Sequence, residues 1–112
     1  MTDIFTTETT KYYSNGNMKF RSVHAGDLVI VDEWYYNGMK SRECVRDLKK
    51  NLAFVGVRKE YDVYGNLSLV IPYSPEGKLH GTQKAWTYGG QVSSEIVYVH
   101  GEIVKKTEYN ST

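Results

Sequence analysis

The chain has 112 residues, 40% hydrophobic and 24% charged, with a formal net charge of +1, which describes one small domain with a modest core. The near-neutral balance excludes a general electrostatic pull toward nucleic acid or anionic membrane, and the single Cys44 excludes an intrachain disulfide framework. Ten Tyr and ten Gly against two Pro tilt the composition toward strands joined by tight turns.

In chain order, Met1 to Thr9 is polar, with Ile4 and Phe5 able to pin it to a sheet edge. It lacks the basic and apolar regions of a signal peptide, so a cytoplasmic location is expected. Lys11 to His24 reads as a first hairpin turning at Asn15-Gly16, with Met18, Phe20, Ser22 and His24 on one face. Ala25-Gly26-Asp27 turns the chain into the short apolar strand Leu28 to Val31, which leads to Trp34 and a second hairpin turn at Asn37-Gly38. Arg42 to Gly56 is irregular. Its Val45, Leu48 and Leu52 have helical spacing, but two strands around an extended polar loop at Asp47 to Asn51 are favoured, because continuing the pattern requires two strands here.

The pattern recovers from Val57. A Tyr64-Gly65-Asn66 turn is followed by strict alternation of Leu67, Leu69, Ile71 and Tyr73. Pro72 cannot donate to a ladder, so it belongs where its nitrogen faces outward or at the strand end. Pro75-Glu76-Gly77 is a turn on residue type. Thr82 to Val104 then forms the clearest unit: Trp86, Tyr88, a Gly89-Gly90 turn, the run Val92 to Val99, and a closing turn at His100-Gly101. Gly-Gly in that setting predicts a two-residue turn with both central residues at positive φ.

These units repeat. The turn glycines Gly16, Gly38, Gly65 and Gly90 each follow an aromatic by four positions: Tyr12, Trp34, Tyr61 and Trp86. Two before each glycine stand Ser14, Tyr36, Val63 and Tyr88, expected on the same face by the period of two. Tyr109 continues the aromatic series, so KKTEYNST opens a truncated fifth copy. Repeats are predicted at approximately 10–31, 32–56, 57–81 and 82–104, with a partial copy at 105–112. The expected fold is all-β: one elongated antiparallel meander of about four hairpin repeats plus the truncated fifth, in a single domain.

Tyr12-Tyr13-Ser14-Asn15-Gly16, Tyr35-Tyr36-Asn37-Gly38 and Gly77-Lys78-Leu79-His80-Gly81 resemble the MORN repeat, in the variant seen in antitoxin-labelled bacterial proteins and in repeat proteins of large DNA viruses. The resemblance runs from Lys11 to about Tyr109 and is poorest over Ser41 to Gly56; His80 stands where the motif has aspartate. It implies a single twisted sheet, with Tyr12, Trp34, Tyr61, Trp86 and Tyr109 as an aromatic ladder that is either packed core or an exposed groove for a partner. It also implies a non-enzymatic scaffold; membrane association, a further proposal for such repeats, lacks a basic-plus-apolar cluster here.

Groups for chemistry are thin. His24, His80 and His100 lie beside turns and match no ligand spacing, Cys44 has no histidine at a catalytic spacing, and Asp32-Glu33 points to opposite faces. Lys49-Lys50, Arg58-Lys59 and Lys105-Lys106 read as solvated. No cofactor, metal, small-molecule substrate or specific nucleic acid is expected. The expected function is protein–protein interaction or self-association through a repeat face or sheet edge, the edge being Val104, Thr107 and Tyr109. Alternatives are an antitoxin-like binder, a structural component of a large DNA virus, or a small metal protein or enzyme, which would require the three histidines to converge or Cys44 to lie in a polar cleft.

Overall fold

The computed structural model describes residues 7–109. Among these residues nine antiparallel strands follow one another in a single open sheet, β1 to β9 in sequence order. They are β1 (Glu8–Tyr12), β2 (Met18–Ala25), β3 (Leu28–Trp34), β4 (Lys40–Asp47), β5 (Ala53–Tyr61), β6 (Leu67–Tyr73), β7 (Gly81–Trp86), β8 (Val92–Val99) and β9 (Glu102–Glu108). The expected all-β meander is the observed one. Ile4 and Phe5 lie outside the described residues, as do Asn110, Ser111 and Thr112.

Most domains pack two layers around a core; this sheet stands as one layer. Its extents are 56 × 39 × 15 Å and its radius of gyration is 16.4 Å, against about 13 Å for a compact domain of this length. Among the described residues only Val29, Cys44 and Val55 are buried hydrophobics, and no large side chain is fully buried. Partners across an antiparallel ladder share a face, and the register defines two. The back face carries Phe20 opposite Glu33, Ser22 opposite Val31 and His24 opposite Val29, continuing into Cys44 and Arg46. The front face carries Ile30 opposite Val45 and Asp32 opposite Glu43.

With no second layer, long cationic side chains do part of the covering. Arg46 and Arg58 place their guanidinium carbons 4.1 and 4.8 Å from the Phe54 ring centre, and Phe54 packs on Tyr73 at 5.4 Å. Arg58, read from the sequence as a solvated cation, is therefore partly buried, and it binds Glu60 at 2.7 Å.

The irregular segment forms two strands around a loop, as favoured. Its loop contains a single 3-10 turn, Leu48–Lys50, whose cap Asp47 accepts from the Lys49 amide. A bulge follows: Val45 pairs with Val55 but Glu43 with Lys59, and Gly56 takes φ +71° there. This extra chain lengthens the repeat and hides its motif. Pro72 faces Val57 on β5, while the β6–β7 ladder is confined to Leu69–Ala85 and Val70–Lys84. On that side Pro72 takes part through its carbonyl, which accepts from the His80 amide at 3.2 Å, so the missing proline amide is not called on.

The hairpin turns along one margin, the upper rim, depart from the two-residue prediction. At each, the residue three after the first donates back to it: Gly16 to Tyr13, Gly38 to Tyr35, Gly65 to Asp62 and Gly90 to Thr87. These are three-residue loops, a type I turn closed by a glycine in the left-handed region. Only the last glycine needs positive φ, so Gly90 sits at +87° while Gly89 does not. A two-residue turn with both positions at positive φ does occur on the lower rim, at His100 (49°) and Gly101 (88°).

Candidate interaction surfaces

Of the ladder residues, Tyr12, Trp34, Tyr61 and Trp86 end the strands that feed the upper rim, and Tyr109 directly follows β9. At four of them the register slips by one residue: Tyr12 opposite Met18, Trp34 opposite Lys40, Tyr61 opposite Leu67 and Trp86 opposite Val92. The rings are neither deep core nor an open groove. Tyr12 and Tyr109 are exposed, at 61% and 47%, and the middle three are half-buried. Each of the last four has a charged neighbour: Lys40 lies 5.8 Å from the Trp34 ring and Lys84 5.8 Å from Trp86. Tyr61 donates to Glu43 at 2.5 Å, and Tyr109 to Glu95 at 2.6 Å.

At the centre of the front face these contacts join into a network. Lys40 bridges Asp32 at 3.0 Å and Glu43 at 3.2 Å. Burial lowers the Lys40 ammonium, but the two carboxylates outweigh it and hold it above its ordinary value. Burial likewise raises Glu43, and the bonds from Tyr61 and Lys40 bring it below the usual carboxylate range. The Glu43 bond, then burial, push the Tyr61 hydroxyl up. Every charge here is answered, so the network orients Tyr61 rather than offering a reactive group.

The upper rim is where the sequence reading missed residues. Ser14, Tyr36, Val63 and Tyr88 lie outside the strands; each is the first loop position of its turn, where strand alternation no longer applies. Tyr36, Tyr64 and Tyr88 project with 55%, 64% and 70% exposure, beside exposed Met39 and Val63. The tips are stitched together. Asn15 and Asn17 both donate to the Tyr36 carbonyl at 2.9 and 3.0 Å, and Asn37 to Val63 at 2.8 Å. Tyr13 and Tyr35 donate to the carbonyls of Trp34 and Tyr61, one hairpin along. Tyr64 and Tyr88 meet edge-on at 5.7 Å. The signal available in the sequence was the tyrosine beside Asn37-Gly38, Gly65-Asn66 or Gly89-Gly90, once the loop is read as three residues.

At the far edge, β9 pairs with β8 alone among the described residues. Ile103 and Val104 are exposed, at 56% and 59%, as is Tyr109. The Tyr109 amide donates to Ser93 at 2.9 Å, and Thr107 stands opposite Glu95. Antiparallel pairs alternate between exchanging bonds and not, so the amides of Thr107 and Tyr109 face β8. The outward donors are those of Lys106 and Glu108, which shifts the expected edge set of Val104, Thr107 and Tyr109 by one residue.

The histidines do not converge as a triad. His80 and His100 stack at 5.0 Å, with the His100 amide donating to His80 Nδ1 at 3.2 Å. His24 belongs to β2, opposite Val29. No group of three or more His, Cys, Asp or Glu among the described residues is placed to hold a metal. Burial pushes the Cys44 thiol up, despite Arg46 and Arg58 nearby, the reverse of what a nucleophile requires. Among the described residues no helix is long and apolar enough to cross a membrane.

Comparison with known protein families finds no match, and none of the curated proteins matches. Among solved structures the fold is similar to part of a mutant S. aureus TarM, crystallised in complex with Fondaparinux, alpha-GlcNAc-glycerol and UDP. The TM-score is 0.52 at 10% identity, covering 92% of this chain and 21% of TarM. This chain spans about a fifth of that protein, and the likeness is one of fold.

Proposed function

We propose that this chain is a non-enzymatic interaction and assembly module, a MORN-like array of hairpins that meets a protein partner with its upper rim. The observation that carries the reading is the row of Tyr36, Tyr64 and Tyr88, all more than half exposed, on turns of which the first three are braced to one another by asparagine amides and the last meets its neighbour through the Tyr64–Tyr88 edge contact. Tyrosine offers a large contact area at low entropic cost, and Tyr, Ser, Gly and Asn together are the composition of protein-binding loops. Bracing removes much of the ordering cost that flexible tips would bring to binding. An antitoxin-like binder and a virion component are particular cases of this reading, separated by the identity of the partner.

The test is affinity capture from the source cells with three baits: the unaltered chain, a rim variant carrying Tyr36→Ser, Tyr64→Ser and Tyr88→Ser, and the front-face variant Lys84→Ala. A protein retained by the unaltered chain and by Lys84→Ala, and lost from the rim variant, supports the reading. Equal retention on all three refutes the rim as the contact. The rim variant's circular dichroism and urea midpoint verify that its sheet is intact.

A further inference from the structure

We infer that the β9 edge is a two-fold assembly site for a second copy of this chain, in a register set by Lys106 and Glu108. This rests on the reading of the sheet as an assembly module and names the occupant of one of its edges.

Strand direction decides how a second copy can add to the sheet. Nine antiparallel strands begin and end on strands that run the same way, so β1 and β9 are parallel. Extending the sheet head to tail, with β1 of one copy beside β9 of the next, would create a parallel pair. A two-fold axis perpendicular to the sheet instead sets β9 against β9 antiparallel and keeps the faces continuous. An isologous contact of this kind closes after two copies.

Backbone geometry then limits the register. Only Lys106 and Glu108 in the regular part of β9 turn amide and carbonyl away from β8, as follows from the Tyr109 bond to Ser93 and the Ile96–Lys106 and Ser94–Glu108 pairing. With the axis at Thr107, Lys106 of each copy faces Glu108 of the other, and each such pair exchanges two hydrogen bonds. Thr107 faces Thr107, and Lys105 faces Tyr109. The adjacent registers that preserve the faces set Lys106 against Lys106 or Glu108 against Glu108, and like charges directly opposite are destabilising. Charge therefore selects the register that backbone bonding allows.

The side chains are ready for it. Lys106 and Glu108 already lie on one face 3.3 Å apart, with 53% and 69% of their side chains exposed, so each can accept a cross-strand partner without leaving the other. Among the described residues the opposite edge has no such pattern: Glu8 on β1 is bound by Arg21 of β2 at 3.0 Å.

The decisive experiment is sedimentation velocity of the whole chain from about 10 μM to about 1 mM, a range suited to a short strand-addition contact. The unaltered chain should shift toward dimer with concentration. Lys106→Glu and Glu108→Lys should each weaken association at least about tenfold, by setting like charges across the axis. An equimolar mixture of the two variants should dimerise, since every cross-strand pair is then opposite in sign, and the chain carrying both substitutions should dimerise alone. A monomer throughout, or single variants that match the unaltered chain, or a mixture no better than its components, overturns the inference. None of these outcomes bears on capture by the rim, so the two proposals fail separately.

Discussion

Tyr61→Phe tests whether the front-face network holds the sheet together. The substitution removes one oxygen and leaves the ring. In the native chain that oxygen donates to Glu43 at 2.5 Å, and Glu43 also receives Lys40 at 3.2 Å. A hydrogen bond to a charged group contributes about 1.5–3 kcal/mol when well shielded. The Glu43 side chain keeps 31% of its surface exposed, so water replaces part of the lost bond and the expected cost is about 1–1.5 kcal/mol. For a domain near this size that lowers Tm by roughly 5–8 °C, measurable by far-ultraviolet circular dichroism and by urea titration.

The pH dependence has a sign that follows from the same bonds. Glu43 is lowered in the folded chain, so its contribution is complete above about pH 5 and is lost as pH falls through the folded value. Tyr61→Phe should therefore cost most at neutral pH, and the gap to the unaltered chain should narrow toward pH ~3. Lys40 and Tyr61 are both raised; their contributions hold below pH ~10 and are lost as pH rises through the folded values. A Tm change under ~1 °C, or a double-mutant cycle with Glu43→Gln showing no coupling, would refute the network's role.

Two further perturbations probe the small core. Val29→Ala removes two carbons from a site that is 6% exposed and should cost about 2 kcal/mol in urea unfolding; a loss under ~0.5 kcal/mol would show that the core carries little of the stability. Cys44, 4% exposed with its thiol raised by burial, should resist a thiol reagent at pH 7 and react at once in urea. Stoichiometric labelling within minutes in native buffer would mean that the middle of the sheet opens readily.

The fold was legible because its unit is short and its turns are chemically marked. Gly16, Gly38, Gly65 and Gly90 each occupy a left-handed position that other residues avoid, and the alternation around them reports the strand. Turn length was not legible. Asn-Gly and Gly-Gly suit both two- and three-residue loops, and the choice depends on a register slip at the preceding aromatic, as at Tyr12 and Trp34. That one-residue error put Tyr36 and Tyr88 on the sheet face and concealed the rim. The role of Arg58 was hidden for a different reason: a cation beside Lys59 reads as solvent-facing until the bulge at Gly56 brings it over Phe54.

A one-layer sheet has no opposing layer to dry its aromatics, so cation stems must do so, and this separates two causes that usually act together. Lys84 lies over Trp86 with its ammonium 5.8 Å from the ring and 4.0 Å from Glu95. If its methylenes cover the indole, Lys84→Met should keep nearly all stability, while Lys84→Ala should lose about 1 kcal/mol through exposed ring surface. If the charge matters more, both variants should lose alike, and added salt should weaken the unaltered chain toward them. The first outcome is expected, because a single ion pair at 4.0 Å with 38% and 32% of its side chains exposed contributes little in water. Equal losses for the two variants would mean that the sheet is held by its charges, and the account of cation stems as its missing layer would have to be abandoned.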